Sequence, residues 1–235
     1  MTERIIRRSI KNEIYETLRD RIQYCELKPG EAINEAALIK EFGVSKTPIR
    51  EALNTLAQEH LIDIYPQSGT FVSKIDVARL KDLSFLRDAL DNAVNLELAR
   101  RKDPLNTTID KYLALSEFAI QEGDWRECVR LDYAFHKELY RIGGHPEAWE
   151  VIEHNVFPYF TRLRFFDEGV HQEYQESPGT HDEHCHLVQC IRNGDTEAIL
   201  DNDAFKRHKY WFRKVYERVS NTQKSDYFLN LDMLT

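Results

Sequence analysis

Strand-like sequence in this chain is confined to one short stretch, and that limits the folds open to it. Residues 61–75, LIDIYPQSGTFVSKI, hold two β-rich runs around Pro66-Gln67-Ser68-Gly69, the pattern of a hairpin. Upstream, Ile10, Ile14, Leu18 and Ile22 recur at four-residue spacing, so residues 10–24 read as an amphipathic helix. LKPGE (27–31) breaks that helix with Pro29 and Gly30. A short second helix over 34–42 has Asn34 as its N-cap and Ala37, Leu38 and Phe42 facing inward. Gly43-Val44 makes a turn, and a third helix runs from Ser45 to His60. Past Ile75 the strand signals stop. Residues 76–102, 106–122, 124–142, 145–167, 179–193 and 195–219 each carry a helical apolar period, with breaks such as DPLN, EGD and GGHP between them. The expected fold is mainly α: a winged helix-turn-helix over 1–75, an all-helical bundle of about six helices over 76–220, and a tail, 221–235, with no assignable structure.

The 235 residues suffice for one large domain or two modest ones, and with 42% hydrophobic and 31% charged residues the chain reads as soluble and globular. No apolar run reaches the roughly 18 residues of a membrane span. MTERIIRRSIKNE lacks the apolar core of a secretory signal. Four cysteines without a CxxC pair point to reduced thiols, and so to a cytoplasmic protein without a membrane partner. The net charge of −8 is unevenly placed. Residues 1–75 hold 11 basic and 11 acidic side chains, so the acid excess lies wholly in 76–235. A neutral first domain with clustered Lys and Arg can still bind phosphates.

The cluster that matters is SKTPIREAL (45–53). Ser45 is an N-cap whose hydroxyl would accept a first-turn N–H. Pro48 sits in the first turn, where its missing N–H removes no helical bond. Ile49, Leu53 and Leu56 pack back on the first two helices, which leaves Lys46, Thr47 and Arg50 on the outer face. In a helix-turn-helix this end of the recognition helix meets base edges and phosphates.

The stretch from LKPGE through SGTFV resembles the DNA-binding domain of the GntR family of bacterial transcription regulators. The likeness lies in Pro29-Gly30, Gly43-Val44-Ser45, Thr47-Pro48, Arg50-Glu51-Ala52-Leu53 and Gly69. It implies that Ser45, Lys46, Thr47 and Arg50 contact double-stranded DNA, and that the wing tip at Gly69 reaches the minor groove. Lys46 and Ser68 stand where relatives often carry arginine, which shifts base readout toward Arg50.

In the second domain LDYAFHKELY places Asp132 and His136 four apart on one helix face. His184 joins the apolar face defined by Leu187, Val188 and Ile191, and His208 lies in a stripe with Phe205, Trp211, Phe212 and Val215. One carboxylate and three histidines on three inward faces suit a divalent metal. The same residues also read as a local ion pair beside hydrogen-bonded core histidines. YFTRLRFF adds Arg162 and Arg164, and a buried arginine needs an anion from the protein or from a ligand.

Residues 76–219 resemble the FCD ligand-binding domain of FadR-type GntR regulators, less densely than the N-terminal match. The resemblance implies that Asp132, His136, His184 and His208 hold an ion, Zn or Ni first. It also implies that Arg87 of FLRDAL, with Arg162 and Arg164, meets a small organic or sugar acid. The expected function is a homodimeric repressor on a palindromic operator, controlled by that acid. Two other readings stand beside it: a DNA-binding dimer whose helical domain only dimerises, and a helical metalloenzyme. The last lacks HExxH or a Glu-x-x-His repeated on two helices, since of Glu168–His171 and Glu183–His186 the first runs into the break over 169–179.

Overall fold

The computed structural model describes residues 2–101, 105–166, 180–201, 213–217, 219–220 and 222–234. The first unit opens with α1 (Thr2–Gln23), whose Ile14, Leu18 and Ile22 are fully buried on one face. Strand β1 (Ala32–Ile33), α2 (Glu35–Phe42) and α3 (Lys46–Gln58) follow, then β2 (Ile62–Tyr65) and β3 (Gly69–Val72). Asn34 caps α2 by accepting the Ala37 N–H at 3.1 Å. Gly43 ends α2 at φ 63°, a left-handed conformation that costs glycine little. Ile49, Ala52, Leu53 and Leu56 of α3 pack with the α1 stripe, Leu61, Ile62 and Val72 in one core.

Two details differ from the sequence reading. The hairpin has a third strand, because β1 pairs antiparallel with β3 through Ala32↔Phe71 and Ile33↔Thr70. A two-residue strand has no periodicity to detect, and only its partner reveals it. Ser45 occupies the N-cap position of α3 at φ −73° and ψ 170°, but its side chain makes no capping bond. An N-cap hydroxyl bonds the second or third amide of the helix, and Pro48 deletes the third. The proline therefore withdraws a capping partner that the sequence reading counted as present.

From Ile75 onward most core residues belong to a second, larger cluster, and Ala119, Cys128 and Leu131 form a small third one between the helices over 107–122 and 125–143. Strand β4 (Ile75–Asp76) leads directly into α4 (Val77–Arg101), and Asp76 Oδ1 accepts the Ala78 N–H at 3.0 Å. The bundle continues with α5 (Thr107–Glu122), α6 (Trp125–Gly143), α7 (Pro146–Val151), α8 (Phe157–Phe166), α9 (Thr180–Asn193) and α10 (Thr196–Asp201), and residues 213–217 are also helical. Helix α6 lies between α4 and α5, while α9 packs on α4 and α5.

The expected single helix over 145–167 is broken by a π-helical turn, Ile152–Val156. Pro158 explains the break. It has no N–H, and its ring clashes with the carbonyl four residues back. The Phe157 N–H goes to the Ile152 carbonyl, so the Glu153 carbonyl loses its donors at both Phe157 and Pro158. Arg19 of α1 fills the gap, donating through Nη2 to that oxygen at 2.6 Å. A second part of the tail also finds its place. Phe228–Leu229 forms β5, parallel to β4, with Ile75↔Phe228 and Asp76↔Leu229 in register. Phe228 is buried in the bundle core, and Asn230 donates to Asp76 Oδ1 at 2.9 Å.

Candidate nucleic-acid interface and metal centre

Ser45, Lys46, Thr47 and Arg50 are all exposed at the N-terminal end of α3, and Gly69 is exposed where β3 begins. The turn into Gly69 runs through Gln67 at φ 64°, and Gly69 itself has φ 119°. Glu35, the first residue of α2, was not singled out from the sequence. Its Oε2 lies 3.3 Å from Arg50 Nε and 3.8 Å from Lys46 Nζ. The Nε edge of Arg50 is thus engaged, while its two terminal nitrogens form the edge that reads guanine bidentately. Glu35 could have been found from the sequence: it follows an N-cap on the helix that precedes the recognition helix.

In the bundle, Asp132 and His136 of α6 meet His184 of α9, and all three are buried. One ligand atom from each lies within 4.8 Å of the others. Asp132 Oδ1 is 3.3 Å from His184 Nε2 and 3.7 Å from His136 Nε2. Two donors on a tetrahedral zinc ion sit about 3.4 Å apart, so the set fits a divalent ion with small adjustments. The His184 ring stacks on Phe135 at 4.1 Å, which fixes its orientation. His208 lies outside the described residues.

Asp91 of α4 completes the surroundings. Its Oδ2 is 3.8 Å from His136 Nδ1, on the side of the ring away from Asp132. A carboxylate behind a ligating histidine holds the ring and its tautomer for metal binding. Asp91 Oδ2 also accepts from Arg87 Nε at 3.3 Å, and Oδ1 accepts from the Tyr140 hydroxyl at 2.7 Å. Burial first, then the Asp91 charge and hydrogen bond, push the Tyr140 phenol far above its ordinary range, so it stays a donor. Asp91 was legible in principle. Ser84, Arg87, Asp88, Asp91 and Asn95 form a polar row at helical spacing on α4, and four of the five are buried.

The expected effector arginines part company. Arg87 is buried beside the cluster, over the rings of Phe157 and Phe160 at 5.6 and 5.4 Å. Arg162 is fully buried but faces the first domain, donating to the Ser73 hydroxyl at 3.2 Å and to the Ser73 carbonyl. Burial lowers its pKa, and its hydrogen bonds within the described residues both go to Ser73. Arg164 lies in α8, and its side chain is outside the described set. His181 and His186 instead pair locally along α9, with Cys185 at 3.4 Å and Cys190 at 3.5 Å.

A winged helix-turn-helix with an exposed basic helix end, mounted on a helical bundle, defines a DNA-binding transcription regulator. Residues 10–72 match the bacterial regulatory proteins of the gntR family, and residues 82–201 match the FCD domain. The chain belongs to the GntR family, with the two-domain architecture of its FadR-type members, and is a regulator rather than an enzyme. It is 37% identical over 149 residues to an HTH-type transcriptional regulator in an unstable DNA locus of Streptomyces ambofaciens. That match covers 62% of this chain and 61% of the relative, less than two thirds of the relative's length. It is 34% identical to the HTH-type transcriptional repressor RspR of Escherichia coli K12, over 66% of this chain and 68% of that one. The fold is shared with a transcriptional regulator from Rhodococcus sp. RHA1, at TM-score 0.72 and 18% identity, covering 92% of this chain and 100% of the other. Among the described residues no helix is long and apolar enough to cross a membrane.

Proposed function

We propose that the chain is a cytoplasmic, homodimeric repressor whose affinity for a palindromic operator is set by a small organic or sugar acid. Ser45, Lys46, Thr47 and Arg50 face the major groove in this reading, and the wing at Gly69 faces the minor groove. Arg50 takes a guanine with its terminal nitrogens while Glu35 holds Nε. Asp132, His136 and His184 hold a divalent ion, Zn or Ni first, with His208 as the remaining ligand. A bound ion would supply positive charge and open coordination positions to a carboxylate.

The observation that carries this reading is the buried chain of contacts from Asp132 through His136 and Asp91 to Arg87. It sets an anion-binding guanidinium beside a metal-type donor set. Arg87 binds the acid by exchanging its Asp91 contact for the ligand's carboxylate. Operator and effector affinities then shift by one reciprocal factor. The test is thermal shift with a panel of organic acids, with and without EDTA, followed by mobility shift on DNA. Acid-dependent stabilisation that EDTA abolishes, together with acid-dependent release of DNA, is expected. No acid response in the metal-loaded protein would sink the effector reading.

One observation favours a second reading. The three donors already lie within ion-pair range of one another, with His184 Nε2 3.3 Å from Asp132 Oδ1, as in a structural core. A bundle that only dimerises predicts no bound metal by elemental analysis and unchanged DNA affinity in Arg87→Gln.

A further inference from the structure

The wing is anchored at two backbone points, and the helical domain holds both. His60, at φ 58°, precedes the hairpin, and Ser73 follows it. The Ser73 hydroxyl donates to the His60 carbonyl at 2.7 Å, which closes the base of the wing. From α8, the Tyr159 hydroxyl donates to the same His60 carbonyl at 3.0 Å. Arg162 donates through one terminal nitrogen to the Ser73 hydroxyl and through the other to the Ser73 carbonyl. The Arg162 carbonyl in turn accepts from the Cys25 thiol at 3.4 Å, so the turn that follows α1 docks on the same part of α8.

This contact is costly for a merely structural one. Arg162 is fully buried, and among the described residues its Nε has no hydrogen-bond partner while its terminal nitrogens bond only neutral groups of Ser73. An apolar side chain of similar volume fills such a site at least as stably. What an apolar side chain cannot supply is a directional grip on a backbone oxygen and a hydroxyl. The same helix carries Phe157 and Phe160, on which the Arg87 guanidinium rests. One rigid helix therefore touches the Arg87 site with one set of side chains and the base of the wing with another.

We propose that Arg162 and Tyr159 are positioning residues for DNA reading: they set the angle at which the wing meets the duplex. The proposal rests on the regulator reading and deepens it, because α8 becomes the element by which the bundle acts on the wing. Recognition helix α3 shares its apolar core with the wing, but the hydrogen bonds from Tyr159 and Arg162 go to His60 and Ser73 at the wing's base, so removing them takes no side chain out of that core.

The experiment uses the full chain and a duplex selected from a random-sequence pool with the wild-type protein. Arg162→Gln, Arg162→Lys, Tyr159→Phe and Ser73→Ala are compared by hydrogen exchange of residues 61–73 and by hydroxyl-radical footprinting. Amide exchange in the wing should rise about threefold to tenfold in Arg162→Gln and Tyr159→Phe, with α2 and α3 unchanged. Minor-groove protection at the flanks should weaken while guanine protection by α3 persists. Arg162→Lys should recover part of both. A purely structural role would raise exchange evenly in both domains and lower affinity without changing the footprint, and would overturn the proposal. If Arg162→Gln does not fold, Tyr159→Phe and Ser73→Ala decide: wing exchange unchanged in both refutes it. Failure of the pool to yield a preferred sequence would count against the regulator reading alone, and the exchange data would still decide the clamp.

Discussion

Asp91→Asn is the most informative single change in the bundle, because Asp91 touches Arg87, Tyr140 and His136 at once. The substitution keeps shape and removes charge. Asn can still accept from the Tyr140 hydroxyl through its carbonyl, but its amide then faces Arg87, donor against donor. Removing one partner of a fully buried ion pair costs about 3–5 kcal/mol. Here the Asp91 side chain keeps 16% exposure and that of Arg87 7%, and the tyrosine bond survives. A loss of about 2–3 kcal/mol is therefore expected, from guanidinium denaturation without added metal. The carboxylate behind His136 is lost as well, so affinity for zinc should fall about 10- to 100-fold by titration calorimetry. Stability within about 0.5 kcal/mol of wild type would show that Arg87 does not depend on this pair. Unchanged zinc affinity would show that Asp91 does not orient His136.

Three further outcomes can be checked directly. Gly43→Ala places a Cβ at φ 63° in open space, so backbone strain alone should cost about 1 kcal/mol, visible as a lower Tm. A cost of several kcal/mol would mean a packing role for that turn. Burial raises the Glu153 carboxyl, but the Tyr133 hydroxyl and Lys137 more than offset it, leaving it below the ordinary value of 4.5. A depressed carboxylate adds stability above that pH and loses it as pH falls through the folded value. Glu153→Gln should therefore be less stable than wild type at pH 7, with the gap closing below pH 4. A constant gap would show that charge is not what Glu153 contributes. Finally, burial pushes the Cys25 and Cys128 thiols up to about 11, so both should resist a thiol reagent at pH 8 in the native chain and react in denaturant. Rapid native labelling of either by peptide mapping would contradict that burial.

How much the sequence disclosed depends on the range of the interaction. Ile14, Leu18 and Ile22 repeat at a helical period, and Asp132 and His136 are one turn apart, so both patterns were visible within ten residues. His184 required only the further inference that its helix face points inward. Asp91 sits in an equally regular polar row, but its meaning depends on α6 lying opposite, which periodicity does not encode. Arg162 shows the limit most clearly. Its neighbours Tyr159, Phe160 and Leu163 announce burial, yet its partner Ser73 is 89 positions away in the chain. The same holds for β1 and β5, each two residues long and defined only by the strand beside it. Pro158 was visible, but its effect on the Glu153 carbonyl appears only once Arg19 is seen to fill the gap.

The β4–β5 pairing has a consequence for how the chain is made. Asp76 and Asn230, bonded to each other, are 154 residues apart, and the whole helical domain lies between them. Loop-closure entropy delays such a contact until intervening structure has brought its ends together. Synthesis delivers the winged unit first and Phe228 after the bundle helices. Strand β5 therefore acts as a seal on a finished fold: it closes over the Ile75–Asp76 joint only in chains whose bundle has assembled. A chain stalled or clipped before Phe228 would carry a complete DNA-reading head on an unsealed joint.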